Sequence, residues 1–262
     1  MAPQDLKIES YIPADSLKPF VKTFLVIEST RATVNKLLPD TSIVLAFRLG
    51  GKITDESAGN DRRLPASVIT GLRRSPRFLS YADKTACLLV IFKEGGAAAI
   101  FKEPLHELFS KSVPLDDLVP RSQLQLIEEQ MNAARDNKKR VAIAERFLLS
   151  GLHSGQPDML VNRAMQKIKL VNGNIKVRGL AGDMAISLDA FEKRFRRVAG
   201  ISPKQFADTV RMRHLIGQLS APESLTRIAL DAGYFDQAHF NKDFRSFTGV
   251  APQQFFHASA WW

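Results

Sequence analysis

The chain repeats itself once. Phe195-Arg196-Arg197-Val198-Ala199-Gly200-Ile201-Ser202-Pro203-Lys204-Gln205-Phe206 returns, at a constant offset of 49, as Phe244-Arg245-Ser246-Phe247-Thr248-Gly249-Val250-Ala251-Pro252-Gln253-Gln254-Phe255. Both copies keep Phe-Arg, a glycine, a β-branched residue, a small residue, Pro, Gln and Phe. A self-match at a fixed period means one supersecondary unit used twice. In the second copy Leu225–Ala232 predicts a short helix with its apolar residues on one face. Gly233 falls where a helix ends and φ turns positive. Tyr234-Phe235 cross the turn, and Asp236 caps a new helix. Phe240, Phe244 and Phe247, four and three apart, face inward together; Gln237, Ala238, Asn241, Lys242 and Arg245 face out. Helix, glycine turn, and a helix with a polar, basic outer face make a helix-turn-helix.

The first copy follows the same plan. Gly179–Met184 is its first helix, Ala185-Ile186 its turn and Ser187 its cap. Phe191, Phe195 and Val198 point inward, leaving Asp189, Glu192, Lys193, Arg196 and Arg197 outside. Ala185 stands where the other copy has Gly233. Between the copies, Ser202 caps and Pro203 opens a long helix through Leu219, with Phe206, Val210, Leu215 and Leu219 as the expected buried stripe. Such a rod holds two reading helices for successive major-groove turns, roughly 34 Å apart.

At this point the pattern resembles a known family. Ala229-x-x-x-Gly233-Tyr234-x-Asp236-x-x-x-Phe240-x-Lys242-x-Phe244-Arg245-x-x-x-Gly249-Val250-x-Pro252 is similar to the signature of the AraC family of transcriptional regulators. Gly200-Ile201-Ser202-Pro203-Lys204-x-Phe206 and Arg211 resemble that family's linker helix. The likeness runs from about residue 160 to 256. It implies a variable N-terminal sensing or dimerising domain, loosely cupin-like, before a double helix-turn-helix. It also implies DNA base contacts at Asp189, Glu192 and Lys193 in the first unit and at Gln237, Ala238 and Lys242 in the second. These types suit base edges: lysine donates to guanine, glutamine pairs with adenine, and a carboxylate accepts from cytosine. Ser187, Arg194, Arg196, Arg197, Lys204, His239 and Arg245 are the expected phosphate contacts. Arg211 serves either DNA or the packing of the linker helix.

Charge agrees. The net charge is +10 at pH 7, and from Asp158 onward Lys and Arg number 15 against 9 Asp and Glu. A basic balance favours anionic partners such as nucleic acid.

The first hundred residues carry strand signals instead. Phe20–Ile27, Ser42–Phe47 and Ala86–Phe92 are β-rich runs separated by Pro39-Asp40, Gly50-Gly51, Gly59-Asn60 and Gly95-Gly96. A sandwich or small barrel with a modest apolar pocket is expected. Glu103–Phe109 then predicts a short helix. Leu124, Ile127, Glu128 and Met131, and then Val141, Ala144, Phe147 and Leu148, space out two more. Those two helices either cover the sheet or form a dimer interface. The fold class expected is α+β. A small β-barrel or sandwich with accompanying helices occupies residues 1–152, and an all-α double helix-turn-helix domain occupies 158–262, after the Ser150–Pro157 linker.

Other functions find little support. His106, His153, His214, His239 and His257 lack metal-ligand spacing, and none lies in the first hundred residues. No catalytic arrangement, metal or cofactor is expected. Cys87, the one cysteine, sits among apolar residues as a small hydrophobe and fits a reducing compartment. Met1–Asp5 lacks signal-peptide character and no apolar run reaches membrane length, so a cytoplasmic location is expected. The expected partners are double-stranded DNA, a small-molecule effector in the N-terminal domain and a second copy of the chain. The competing readings are a metal-free ligand-binding or enzymatic β-domain that the helical module recruits to DNA, and a purely structural DNA-bending protein without an effector.

Overall fold

The computed structural model describes residues 6–57, 61–153, 157–218, 233–234 and 236–257. Ten strands come first: β1 (Leu6–Tyr11), β2 (Val21–Ser29), β3 (Thr33–Leu37), β4 (Val44–Gly50), β5 (Ile53–Asp55), β6 (Arg62–Arg63), β7 (Ser67–Thr70), β8 (Arg77–Tyr81), β9 (Ala86–Phe92) and β10 (Ser112–Pro114). They form two antiparallel sheets, a six-stranded one ordered β1-β2-β9-β4-β7-β10 and a four-stranded one ordered β3-β8-β5-β6. The sheets do not close on each other, so the sandwich, not the barrel, is what forms.

Strand periodicity explains why β2, β4 and β9 read as unbroken apolar runs. Successive side chains point to opposite faces. Phe24, Val26, Leu45, Phe47, Leu88, Val90 and Phe92 face one way, into the main core. Leu25, Ile27, Val44, Ala46, Cys87, Leu89 and Ile91 face the other, toward the second sheet. Each face is therefore apolar for a separate reason. Helices α1 (Arg121–Ala133) and α2 (Asn137–Gly151) cover the first face. Leu124, Ile127, Met131, Val141, Ala144, Phe147 and Leu148 are all buried there. Phe147 meets Phe47 edge-on, with ring centroids 6.0 Å apart. Glu128 accepts a hydrogen bond from Ser67 at 2.6 Å. Of the two roles expected for these helices, covering the sheet is the one seen. Between β9 and α1, the expected short helix is a single 3-10 turn, Leu105–Leu108.

The remaining helices are α3 (Met159–Leu170), α4 (Val177–Asp183), α5 (Leu188–Ala199), α6 (Pro203–Gln218), α7 (Gln237–Thr248) and α8 (Pro252–His257). The expected helix at Leu225–Ala232 and most of the aromatic C-terminus lie outside the described residues. Ser202 and Gln205 cap α6 reciprocally: Gln205 N–H donates to the Ser202 hydroxyl, and Ser202 N–H to the Gln205 amide oxygen.

One core runs from the sandwich into the helices. Phe20, Phe92, Phe101 and Leu105 share a continuous apolar cluster with Met165, Phe191, Phe195 and Phe206. A second, smaller cluster belongs to α6 and α7: Met212, Leu215, Ile216, Tyr234, Phe240, Phe244, Phe247 and Phe255. Helix α6 thus serves two cores, Phe206 and Ala207 at one end and Met212, Leu215 and Ile216 at the other. That corrects the single stripe expected from its sequence. Val210 is only half-buried, while Thr209 and Met212 are buried, and Leu219 is outside the described residues.

The two turns differ in strain. Gly233 sits at φ 77° and Ala185 at φ 53°. A side-chain-bearing residue in this left-handed region is disfavoured by roughly 1–2 kcal/mol. Ala185→Gly should therefore raise stability by up to about 1 kcal/mol, after the extra unfolded-chain entropy of glycine is subtracted. A denaturant midpoint that fell instead would show that the turn carries no strain.

Candidate nucleic-acid interface and ligand chamber

Helices α5 and α7 are built alike. Ser187 accepts from Ala190 N–H at 3.4 Å and Asp236 from His239 N–H at 2.7 Å, each capping the first turn. Gly200 and Gly249 end them at positive φ, 86° and 80°. Phe191 and Phe195 in α5, and Phe240, Phe244 and Phe247 in α7, face inward and are buried; Val198 is half-buried.

The opposite faces meet solvent. Ser187, Asp189, Lys193, Arg194, Arg196 and Arg197 are exposed and Glu192 is half-buried. In the second unit Gln237, Ala238, His239, Lys242 and Arg245 are exposed. Lys193 and Lys242 occupy equivalent positions, and neither is ion-paired to a described residue. Other cations have acidic neighbours. Arg194 Nε lies 2.8 Å from Asp158, which also caps α3 through Val161 N–H. Lys204 pairs with Asp208 at 2.8 Å on α6. Arg196 approaches Glu192 at 3.9 Å and His239 approaches Asp243 at 3.6 Å. Arg211 is a packing residue: its guanidinium lies 4.5 Å from the Tyr234 ring centre and 3.1 Å from Asp208. Burial pushes the Tyr234 hydroxyl up to about 12.

The sandwich touches the two units differently. The first unit is part of the main core. At φ 73°, Gly95 packs closely on the first unit: a Cβ there would lie 3.1 Å from Val198 of α5 and 3.2 Å from Met165 of α3. The second unit is held by two loops. In the β3–β4 loop, Leu38 packs on the smaller core, Asp40 meets Arg213 of α6 at 3.3 Å, and Thr41 donates to Glu94. Glu94 in turn takes Lys169 of α3 at 2.8 Å. Burial pushes the Glu94 carboxyl up, but these partners outweigh it and hold the carboxyl below its ordinary value. In the β7–β8 loop, Pro76 lies against Gly249, and Arg74 borders a small cleft with Tyr234 and Phe247.

The same loops wall a chamber of about 360 Å³ between the sheets. Leu38, Pro39, Asp40 and Ser42 border it from one loop, Arg73 and Ser75 from the other, and Arg77 from the start of β8. Its remaining lining is chiefly apolar, with Ile8, Leu25, Val44, Leu79, Leu89 and Ile91 among the contributors. It answers to the modest apolar pocket expected inside the N-terminal β-domain. Cys87 borders it as well, and burial pushes its thiol up to about 12. Among the described residues no group of three or more His, Cys, Asp or Glu side chains could hold a metal ion. None of their helices is long and apolar enough to cross a membrane.

Residues 180–258 match the helix-turn-helix domain family, and residues 9–114 match a domain of unknown function (DUF6597). Residues 180–258 are a helix-turn-helix domain. A curated relative, an uncharacterized HTH-type transcriptional regulator of Haemophilus influenzae, is 26% identical over 154 residues, 58% of this chain and 51% of its own length. The chain thus spans about half the length of that relative. Among solved structures, ToxT from Vibrio cholerae is 11% identical with a TM-score of 0.43, over 97% of this chain and 98% of that one. A probable AraC family transcriptional regulator from Rhodopseudomonas palustris is 29% identical with a TM-score of 0.34, over 37% and 94%.

The sequence marks the helix-turn-helix faces but not the loops that dock the helical domain on the sandwich. Pro39-Asp40 was legible as a turn. Nothing local marks Asp40 as the partner of Arg213, 173 residues away.

Proposed function

We propose that the whole chain is a sequence-specific, effector-responsive transcriptional regulator of the cytoplasm that binds double-stranded DNA as a homodimer. Residues 158–262 read DNA; residues 1–152 sense a small molecule and pair the copies. One observation carries this reading. Two capped helices of the same design, α5 and α7, each present an exposed, cationic outer face with a lysine at the same position.

Asp189, Glu192 and Lys193 then address bases in one groove turn, and Gln237, Ala238 and Lys242 in the next. Ser187, Arg196, Arg197, Lys204, His239 and Arg245 seat the phosphates. Arg194 joins them only by exchanging Asp158 for phosphate. Occupancy of the chamber reaches the second unit through the loops they share, since Asp40 borders the chamber and also holds Arg213.

Genome-wide mapping of bound DNA tests the reading and yields the operator. Affinity for that operator should fall by about 0.9 log units per log unit of salt for each phosphate neutralised. No duplex bound at low salt would overturn it. Lys242→Ala should cost about 1–3 kcal/mol and relax preference at one base pair. A loss uniform across sequences would move Lys242 to the phosphate set.

A further inference from the structure

The two reading helices rest on the N-terminal part at the same place. Gly200 and Gly249, 49 residues apart in the repeat, end α5 and α7. A Cβ on Gly200 would lie 3.3 Å from the Leu105 carbonyl oxygen, and one on Gly249 would lie 3.1 Å from Pro76 Cγ. The likeness extends two residues back. Val198 faces Gly95, and its counterpart Phe247 borders the cleft that Arg74 also borders. At the opposite end of each helix the first turn meets solvent: Ser187 and Asp189 in α5, and Gln237, Ala238 and His239 in α7, are exposed.

The held residues and the reading residues are separate sets. The sandwich and its loops hold Lys169, Val198, Gly200, Arg213 and Gly249, and none of these is assigned above to bases or phosphates. A contact that blocked reading would cover or neutralise the reading cations. These contacts do neither: Lys193, Arg196, Arg197, Lys242 and Arg245 are exposed with the sandwich in place.

The second unit has the greater need of support. The first shares the main core, whereas the second has its own, joined to the first through α6. Gly173, at φ 79°, lets the α3–α4 loop close on the near half of that helix: a Cβ there would lie 2.2 Å from the Ala207 carbonyl oxygen. Beyond this point Asp40 holds Arg213 and Leu38 packs on the far core. A rod gripped at one end can swing at the other, and the β3–β4 and β7–β8 loops grip the other end.

We propose that the sandwich is part of the DNA-reading apparatus: through Leu38, Asp40 and Pro76 it sets the spacing and angle of α7 relative to α5, and the docked arrangement is the one that binds DNA. These three are positioning residues and do not touch DNA themselves. The proposal rests on the assignment of α5 and α7 as reading helices. Fixing both units in advance spares the ordering cost of seating the second after the first.

The test uses the full chain and the tightest duplex it selects from a random-sequence library. A second duplex carries one base pair inserted between the two segments that one chain protects. The insertion moves the second segment by about 3.4 Å and turns it by roughly 35°. The unaltered chain should bind the inserted duplex at least about tenfold more weakly, the scale of one lost base contact. Leu38→Ala combined with Asp40→Arg loosens the grip at side chains that are only partly buried. In that variant the penalty should shrink to within about threefold. The penalty is a ratio within one protein, so the added charge cancels from it. Adding Arg213→Asp re-forms the ion pair in reverse and should restore part of the penalty. An inserted duplex bound by the unaltered chain within about threefold of its parent would overturn the proposal with no variant needed. A penalty unchanged in the loosened variant would leave α6 as the spacer and overturn it too. Tighter binding of the parent duplex by Arg213→Asp alone, which breaks the contact while removing positive charge, would make docking inhibitory. Selection of no duplex at all would defeat the DNA-binding reading itself, and this proposal with it.

Discussion

Phe244→Ala should unfold the second helix-turn-helix unit and leave the rest of the chain standing. Phe244 is fully buried, with its ring centre 5.5 Å from that of Phe240 and 5.4 Å from that of Phe255. Truncating such a side chain costs about 3–5 kcal/mol. What makes the effect local is the division of the core. Phe244 belongs to the smaller cluster, which reaches the sandwich only through Leu38 among the apolar residues described. A small cooperative unit that loses most of its stability opens by itself. Phe195→Ala removes a similar ring from α5, but that ring is in the core the first unit shares with the sandwich. Its loss should lower the stability of the whole chain. Hydrogen exchange separates the two cases. In Phe244→Ala the α7 amides should lose protection while those of β9 keep theirs, and the DNA footprint should contract to one groove turn. Equal loss of protection in α7 and β9 would show that the two clusters unfold together.

The same division explains which parts of the molecule were legible in its sequence. Features that depend on a few neighbouring residues were readable: the inward phenylalanines of α5 and α7, the caps Ser187, Asp236 and Ser202, and the left-handed turn at Gly233. The sandwich strands were readable too, because a sheet apolar on both faces leaves an unbroken run such as Ala86–Phe92. Periodicity does not distinguish a packed neighbour from an empty space, however. Leu25, Leu89 and Ile91 look like core residues in the sequence yet border the chamber. Helix α6 failed for a related reason. One stripe assumes one partner, whereas its two ends face different cores, and that displaces Val210 in favour of Thr209 and Met212. The docking of the second unit was out of reach, since Asp40–Arg213 and Pro76–Gly249 join residues that only the tertiary fold brings together. In the β7–β8 loop, Arg73 and Ser75 border the chamber while Arg74 and Pro76 meet the second unit. A sequence shows such a segment only as a basic loop.

That loop makes Asp55→Asn the second large effect. Asp55 accepts Ser57 N–H at 3.0 Å as well as Arg73 and Arg77. Asparagine can keep the acceptor for Ser57 but supplies no charge, so two guanidiniums are left without their counter-ion. Breaking a buried pair this way costs about 3–5 kcal/mol. The pH dependence has a definite sign. Burial pushes the Asp55 carboxyl up, but the Ser57 hydrogen bond and the Arg77 charge more than offset it, and the folded-state value is lowered from 3.8. A carboxyl depressed by folding stabilises fully above its unfolded value and loses that contribution as pH falls through the folded one. The gap between the two proteins in urea should therefore be constant from neutral pH down toward 3.8 and close only in stronger acid. A gap below about 1 kcal/mol at neutral pH, the range of exposed ion pairs, would mean that water screens the cluster. In that case the cluster would count as a surface ion pair and not as a buried one.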